Sequence, residues 1–532
     1  MLFTSLLAFG QTNRSALMPY PNQIQEIKDE KNFVLSENTV LQTNLPPEAF
    51  CIKELREIIR KRTGVTLETP ASRTGTSTVA LLLDPAVSGK EHYRLSVSHD
   101  RVEIKGATPE AIYYGLKTLD QILLGDICRT SRKEIAAVRI DDEPRYGYRA
   151  LMLDPARHFL PVEDVKFFID QMAKYKYNTL QLHLTDDQGW RVEIKSHPDL
   201  TRVGAFRNPK TGPNGPDNGF YTQEQLKELV GYAKDRGIQI IPEIDIPGHT
   251  VAVLAVYPEL GCTHTDTLPK VMGQTVDLML CANNDKVYNV YDDIIGEIAS
   301  IFPASSIHLG GDEAVIAKNW TQCKRCQALM KELGYARESQ LMNYFFDKIL
   351  SSVRKYGKEP MLWCELDNIR MPAHNYLFDY PKDATLITWR GGLTPTCIEL
   401  TARHGNPLIM APGEYTYLDY PQLKGDLPEF NNWGMPVTTL ETTYRFDPGY
   451  GLPAAKQAHI LGIAGTLWAE AMKDINRVTY MAFPRSLALA EAGWTQMEYR
   501  NWESFKERMY PNLTDLMKEG VSIRVPFEIV KR

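Results

Sequence analysis

Eight short apolar runs, each long enough for one strand, recur between Ala150 and Trp468 with amphipathic stretches between them. Few chains of such regular alternation have a choice of architecture. Strands that alternate with helices build a parallel sheet, and eight such units close it into a barrel. The runs are Ala150–Leu153, Thr179–Leu184, Ile238–Ile246, Ser306–Leu309, Pro360–Trp363, Thr385–Trp389, Pro407–Met410 and Ile463–Trp468. Between them helical spacing returns: Val165, Phe168, Ile169 and Met172 fall at i, i+3, i+4 and i+7, as do Leu226, Leu229, Val230 and Ala233. The expected fold class is α/β, a (β/α)8 TIM barrel with a smaller N-terminal α/β domain.

A chain of 532 residues is too long for one average domain, and the pattern divides it. Residues 18–145 read as the accessory α/β domain, with strand-like alternation in Tyr93–Ser98 and Val102–Lys105 and a helix from Pro109 to Leu124. The polar, proline-bearing stretch Asp141–Arg145 marks its end. Residues 146–495 form the barrel, and 496–532 a C-terminal helix and tail packed on it. Residues 1–17 begin with the apolar segment Met1–Gly10, which lacks a basic leader. It reads as a shortened secretory segment, the alternative being a buried first strand, and the first reading places the protein in the periplasm or outside the cell.

Composition narrows the function by exclusion. A net charge of −6, from 60 basic and 66 acidic residues without a basic block, leaves no footprint for nucleic acid. No apolar run approaches the roughly 20 residues of a membrane-spanning helix. No glycine-rich phosphate loop follows a strand, which disfavours a nucleotide enzyme. Cys323 and Cys326 form one CxxC, but no second CxxC or paired histidine accompanies it, so it reads as an incidental pair near a helix start and no metal is expected. An oxidising compartment permits a Cys262–Cys281 disulfide.

Barrels of this kind carry their active sites at the C-terminal ends of the strands. There the runs end at or near Asp154 and Arg157, Asp186, Asp245 and His249, Asp312 and Glu313, Trp363, Trp389, Tyr417 and Asp419, and Trp468 and Glu470. Asp312 and Glu313 are adjacent, so ionisation of one disfavours ionisation of the other and a proton donor is available near neutral pH. Alone, such a pair reads as a solvated acidic turn; its company at one barrel mouth makes it a catalytic dyad. Gly310 and Gly311 before it leave room for a ring to approach the backbone. Aromatic faces that stack on pyranose rings, with Arg and carboxylates for hydroxyls, are what a sugar hydrolase needs.

Five ordered segments carry a resemblance: Asp154–Phe159, His183–Trp190, Pro242–His249, His308–Glu313 and Leu467–Glu470. The chain resembles glycoside hydrolase family 20, the β-N-acetylhexosaminidases, over about 150–495, and 18–145 is similar to the family's accessory domain. The sequence departs from many relatives at Leu182, where they carry a large aromatic, and Trp433 falls in a loop outside the five segments. The resemblance implies exo-acting, retaining, substrate-assisted hydrolysis of terminal β-linked N-acetylglucosamine or N-acetylgalactosamine, without a cofactor. It implies Glu313 as general acid and base, and Asp312 as acceptor of the acetamido N–H. By the same resemblance Tyr417 would donate to the acetamido oxygen, Trp363, Trp389 and Trp468 would wall the ring, Arg157, Asp419 and Glu470 would bind hydroxyls, and Asp186, His249 and Asp245 would support the dyad. The expected partners are β-N-acetylhexosaminide oligosaccharides or glycoconjugates. A metal-dependent deacetylase on the same barrel, and a sugar-binding protein without catalysis, are the alternatives. The first wants convergent histidines, where the second run offers Gln181–Leu182–His183.

Overall fold

The computed structural model describes residues 16–67, 77–126, 133–207, 217–263, 268, 277–365, 379–426 and 435–529. The apolar start, Trp433 and Cys128 lie outside these residues. Among the described residues no helix is long and apolar enough to cross a membrane.

The barrel is closed. Eight parallel strands run Tyr148–Leu153, Thr179–Asp186, Gln239–Ile246, Ser306–Gly310, Glu359–Trp363, Thr385–Ile387, Leu408–Met410 and Ile460–Leu467. The first pairs with both the second, Ala150 facing Thr179, and the eighth, Ala150 facing Ala464. Every residue of Thr179–Asp186 is buried, as a parallel strand with helices outside and a filled interior demands. Ile241, Met361, Trp363, Ile387, Ile409 and Ala464 fill that interior, with Trp389 and Trp468 against them. The outer helices include Val162–Lys174, Gln223–Asp235, Asp285–Ile301 and Ser339–Lys355. The second of these starts on a capping box in which Thr222 and Gln225 satisfy one another's backbone N–H groups.

The eighth strand starts three residues earlier than its apolar pattern. Gly462 interrupts the apolar run after Ile460 and Leu461, yet it lets the strand lie flush against the first: a Cβ there would stand 1.8 Å from the Tyr148 carbonyl oxygen.

The N-terminal domain is a six-stranded sheet in the order Gln23–Glu26, Val138–Asp142, Tyr93–Val97, Arg101–Gly106, Ser77–Leu83, Thr39–Thr43. Helices Phe50–Thr63 and Pro109–Asp126 pack on one another. The second is buried along almost its whole length because the sheet covers one side and Trp494 of the barrel meets Tyr114 on another, ring centroids 5.3 Å apart. The C-terminal helix Trp502–Lys518 packs on the barrel, on the N-terminal domain, where Arg62 reaches Asp515, and on the segment just before that domain, where Asn512 Nδ2 donates to Ala16 O at 2.8 Å. A cavity of about 530 Å³ opens at the bottom of the barrel beside Glu91, Asn178 and Pro303, at the opposite end from the strand-end acids.

Cys262 and Cys281 are not joined. Both are free thiols, and with Cys323 and Cys326 they form one cluster rather than two unrelated pairs. The expectation of an incidental CxxC fails because residues distant in sequence meet where two barrel loops cross.

Candidate active site

The fourth strand ends in a turn that only glycine can make. Gly310 and Gly311 have φ of 65° and 98°, and a Cβ on Gly310 would lie 1.7 Å from Asp245 Oδ1. The third-strand carboxylate therefore rests on the glycine backbone, accepting from Gly311 N at 3.3 Å. Asp312 and Glu313 follow at once. Glu313 and His249 are both non-glycine residues at positive φ, 46° and 53°, backbone strain held by the packing around the two loops.

Asp312 is buried, and its Oδ1 has no hydrogen-bond partner among the described residues. Burial foremost raises its carboxyl above the ordinary 3.8, His249 opposes the rise, and Glu313 and Glu243 add to it. The mutual repulsion expected of the adjacent acids is thus present but secondary to desolvation. Asp245, behind it, is also raised well above the ordinary value, by burial and then by Asp312.

His249 links the dyad to a deeper charge network. Its Nε2 stands 3.8 Å from Asp312 Oδ2 and 3.7 Å from Glu313 Oε2, and its Nδ1 stands 3.3 Å from Asp186 Oδ1. Burial works against its charge, yet Asp186, Asp245 and Asp312 hold the imidazole well above its usual pKa. Asp186 also pairs with Arg157 Nη2 at 2.9 Å and His183 Nε2 at 2.8 Å, and despite burial these cations keep it ionised far below the usual range. Arg157 is further anchored on Asp154 and lies over the Trp468 ring, 4.9 Å from its centroid, while its Nε makes no hydrogen bond among the described residues. Of the barrel groups able to approach a cation, His183 already pairs with Glu243 and Asp186, and Asp186 with His249 and Arg157, while Asp245 rests on Gly311 N.

The aromatic residues come together on the same mouth. Trp363 and Trp468 have centroids 5.8 Å apart, and Tyr417 lies 6.5 Å from Trp468. Trp389 is half-buried, and its Nε1 has no partner among the described residues. Burial raises the Tyr417 phenol well above 10, so it remains a hydrogen donor at any working pH. Asp419 is buried two residues further on, and Glu470, half-buried near Arg157, has its carboxyl raised by burial against that cation.

Three residues outside the sequence-based set shape this site. Glu243 is fully buried; it accepts from Trp363 Nε1 at 2.9 Å and Gln181 Nε2 at 2.8 Å, and so fixes one aromatic wall. Glu365 is buried with both oxygens lacking a hydrogen bond among the described residues; Arg390 stands 3.9 Å away, and burial, then Asp312, push its carboxyl well up. Arg485 is fully buried and donates to the carbonyls of Tyr420, Thr438, Met481 and Leu418, clamping the loop that carries Tyr417 and Asp419. Glu365 had a sequence signal, two residues beyond the fifth run; Arg485 had none, since its partners are all backbone atoms.

A sequence profile described as "Glycosyl hydrolase family 20, catalytic domain" matches residues 146–497, and one for the family's domain 2 matches 14–143. The chain belongs to glycosyl hydrolase family 20. It is 39% identical to a β-hexosaminidase of Akkermansia muciniphila over 83% of this chain and 87% of that protein. It is 33% identical to a β-hexosaminidase of Porphyromonas gingivalis, covering 96% of this chain and 64% of that longer protein. Among solved structures, the Streptomyces plicatus N-acetyl-β-hexosaminidase in complex with Thio-NAglucal matches with a TM-score of 0.83 at 30% identity, covering 98% of each chain. This family 20 chain is accordingly a glycoside hydrolase, and the family's mechanism is substrate-assisted.

Proposed function

We propose that the chain removes terminal, non-reducing β-linked N-acetylglucosamine or N-acetylgalactosamine with retention, and that its strand-end residues act as follows. The observation that carries the reading is Asp312: a buried carboxylate whose Oδ1 has no partner among the described residues, next in sequence to a half-buried acid and close enough to Tyr417 to act on its phenol. Two carboxylates on one turn are badly placed to flank a glycosidic bond from opposite faces at the roughly 5–5.5 Å that an ordinary retaining pair needs. A nucleophile brought by the sugar removes the problem. Asp312 accepts the acetamido N–H and offsets the positive charge that develops on it, while Tyr417 donates to the acetamido oxygen. That oxygen attacks the anomeric carbon as Glu313 protonates the departing oxygen, and an oxazolinium ion forms. Water deprotonated by Glu313 then opens the ring with overall retention.

Arg157, Asp419 and Glu470 bind ring hydroxyls, the Nε of Arg157, which has no partner among the described residues, being available for one, and Trp363, Trp389 and Trp468 form the walls. Asp186, His249 and Asp245 hold the dyad's charge and position. The apolar Met1–Gly10 segment supports a further proposal, that the protein is exported; cell fractionation with mass-spectrometric mapping of the mature N-terminus tests it, and an intact cytoplasmic chain would refute it.

The test of the main reading is hydrolysis of an aryl β-N-acetylglucosaminide beside the matching β-glucoside. Turnover of the acetamido sugar alone, with retention seen by NMR, is expected. Equal turnover of both would exclude acetamido participation.

A further inference from the structure

Four of the seven described cysteines gather at one point outside the catalytic mouth. Cys262 and Cys281 come from the connection after the third strand. Cys323 and Cys326 come from the start of helix Lys324–Leu333, after the fourth. The sulfurs are 3.7 Å apart for Cys262 and Cys326, 3.6 Å for Cys281 and Cys326, and 3.9 Å for Cys281 and Cys323. All four lie within 4.8 Å of one another. A tetrahedral metal thiolate with bonds of about 2.3 Å has edges of about 3.8 Å. A disulfide brings two sulfurs to about 2.05 Å. Three of the six sulfur–sulfur edges match the tetrahedron, and the other three stay within 4.8 Å.

We propose that Cys262, Cys281, Cys323 and Cys326 are a tetrathiolate site for one divalent cation of the zinc class. Four sulfur ligands select a soft cation over magnesium or calcium, and with no position left open they make the site structural rather than hydrolytic. Loading forms four metal–sulfur bonds, displaces the cation's water and releases one proton from each ligand that enters as a thiol. The surroundings suit the resulting negative charge. The Arg325 side chain interacts with Cys323, and the backbone N–H of Asn283 is directed at Cys281 and Cys326.

The position gives the site a task. Leu280, next to Cys281, donates its N–H to Pro247 O at 3.0 Å and accepts from Trp320 Nε1 at 2.8 Å. Pro247 lies between Asp245 and His249, and Trp320 lies on the loop that follows Asp312 and Glu313. The cation therefore ties the two loops that bring His249 to the dyad, whichever sugar is cleaved. Cys281 and its partners are positioning residues.

Metal analysis of the full-length chain, purified without chelator, tests this directly. About one zinc per chain is expected, falling roughly tenfold or more in Cys281→Ser and Cys323→Ser and unchanged in Cys51→Ser. If the serine variants fail to fold, the wild-type chain still decides: titration of its thiols with an organomercurial should release zinc in step, and cobalt in its place should give the absorption of a tetrahedral cobalt thiolate. Stripping the metal should lower the unfolding temperature, and adding it back should restore it. Two disulfides found by mass spectrometry, four free thiols in a chain without divalent metal, iron in place of zinc, or metal retained in both serine variants would each overturn the proposal.

Discussion

Two regions of the molecule bury charge, and they treat it in opposite ways. At the junction of the two domains Asp142, Arg62, Arg149 and Arg508 are buried with company. Asp142 accepts from Tyr93 OH at 2.7 Å, Lys176 Nζ at 3.2 Å, Trp494 Nε1 at 3.0 Å and Asn22 N at 2.9 Å. Arg62 is shared between Asp120 and Asp515, Arg149 is bidentate on Glu91, and Arg508 is bidentate on Glu491. At the barrel mouth Asp312 Oδ1, Asp245 Oδ2 and both oxygens of Glu365 are buried without hydrogen bonds among the described residues. Buried polar atoms cost stability unless paired. The junction pairs its buried groups, whereas the mouth leaves acceptors open, as the proposed binding of an acetamido sugar requires.

Substitution should separate the two. The largest effect is expected of Glu313→Gln, which keeps shape but not acid–base function and should lower kcat by roughly 10²–10⁴-fold while leaving the unfolding temperature nearly unchanged. Near-normal turnover by the folded variant would remove Glu313 from the acid role. Asp142→Ala should do the reverse. It leaves Lys176, whose pKa burial already lowers to about 8 against the pull of Asp142, without its counter-ion, and should destabilise by about 3–5 kcal/mol in denaturant titration. The fraction that remains folded should keep its kcat/KM. If Asp142→Ala instead abolished activity at full stability, the division between the regions would be wrong.

A smaller effect is expected of Arg485→Met, which fills much the same volume but cannot hold the carbonyls around Tyr417 and Asp419. Loss of that clamp should lower kcat/KM on acetamido sugars by roughly 10-fold through misplacement of Tyr417. Double-mutant kinetics with Tyr417→Phe check it: fully additive losses would mean that Arg485 acts elsewhere.

The two regions also differed in how far the sequence displayed them. The barrel was legible because eight apolar runs repeat with helical stretches between them, and the mouth because its acids, Arg157, His249 and aromatic residues sit where those runs end. Asp312, Glu313, Asp186, Asp245, His249, Arg157 and the tryptophans all lie within a few residues of a strand terminus. What stayed hidden depends on contacts between distant segments. Glu243 sits inside a quoted motif, yet only its 2.9 Å contact with the Trp363 indole gives it a task. Arg485 binds carbonyls, which have no side-chain identity to read. The Cys cluster joins residues 262 and 326, and the spacing of either pair alone pointed to an unrelated disulfide and an incidental CxxC. Strand ends shift for a similar reason, since Gly462 extends the eighth strand through its closeness to Tyr148 rather than through any apolar pattern.

The smallest effect is also the sharpest, because it makes one residue show opposite signs in activity and stability. Asp312→Asn should lose activity even on substrates with good leaving groups, since acetamido participation fails although leaving-group protonation is not needed. The same change should stabilise the empty protein. Burial raises the Asp312 carboxyl above its ordinary 3.8, so between that value and the folded pKa the folded chain holds a proton that the unfolded chain releases. Its contribution to stability is fully present below the unfolded pKa and is lost as pH rises through the folded one. Asparagine does not titrate, so the variant's advantage should be absent near pH 3, grow with pH, and level off once Asp312 is ionised in the folded wild type. Relief of this kind is commonly worth about 0.5–2 kcal/mol. Thermal unfolding of both proteins across that pH range measures it. An advantage independent of pH would place its origin in packing rather than charge. A loss of stability that deepens with pH would mean that Asp312 is as well paired as Asp142, and the contrast between mouth and junction would not hold.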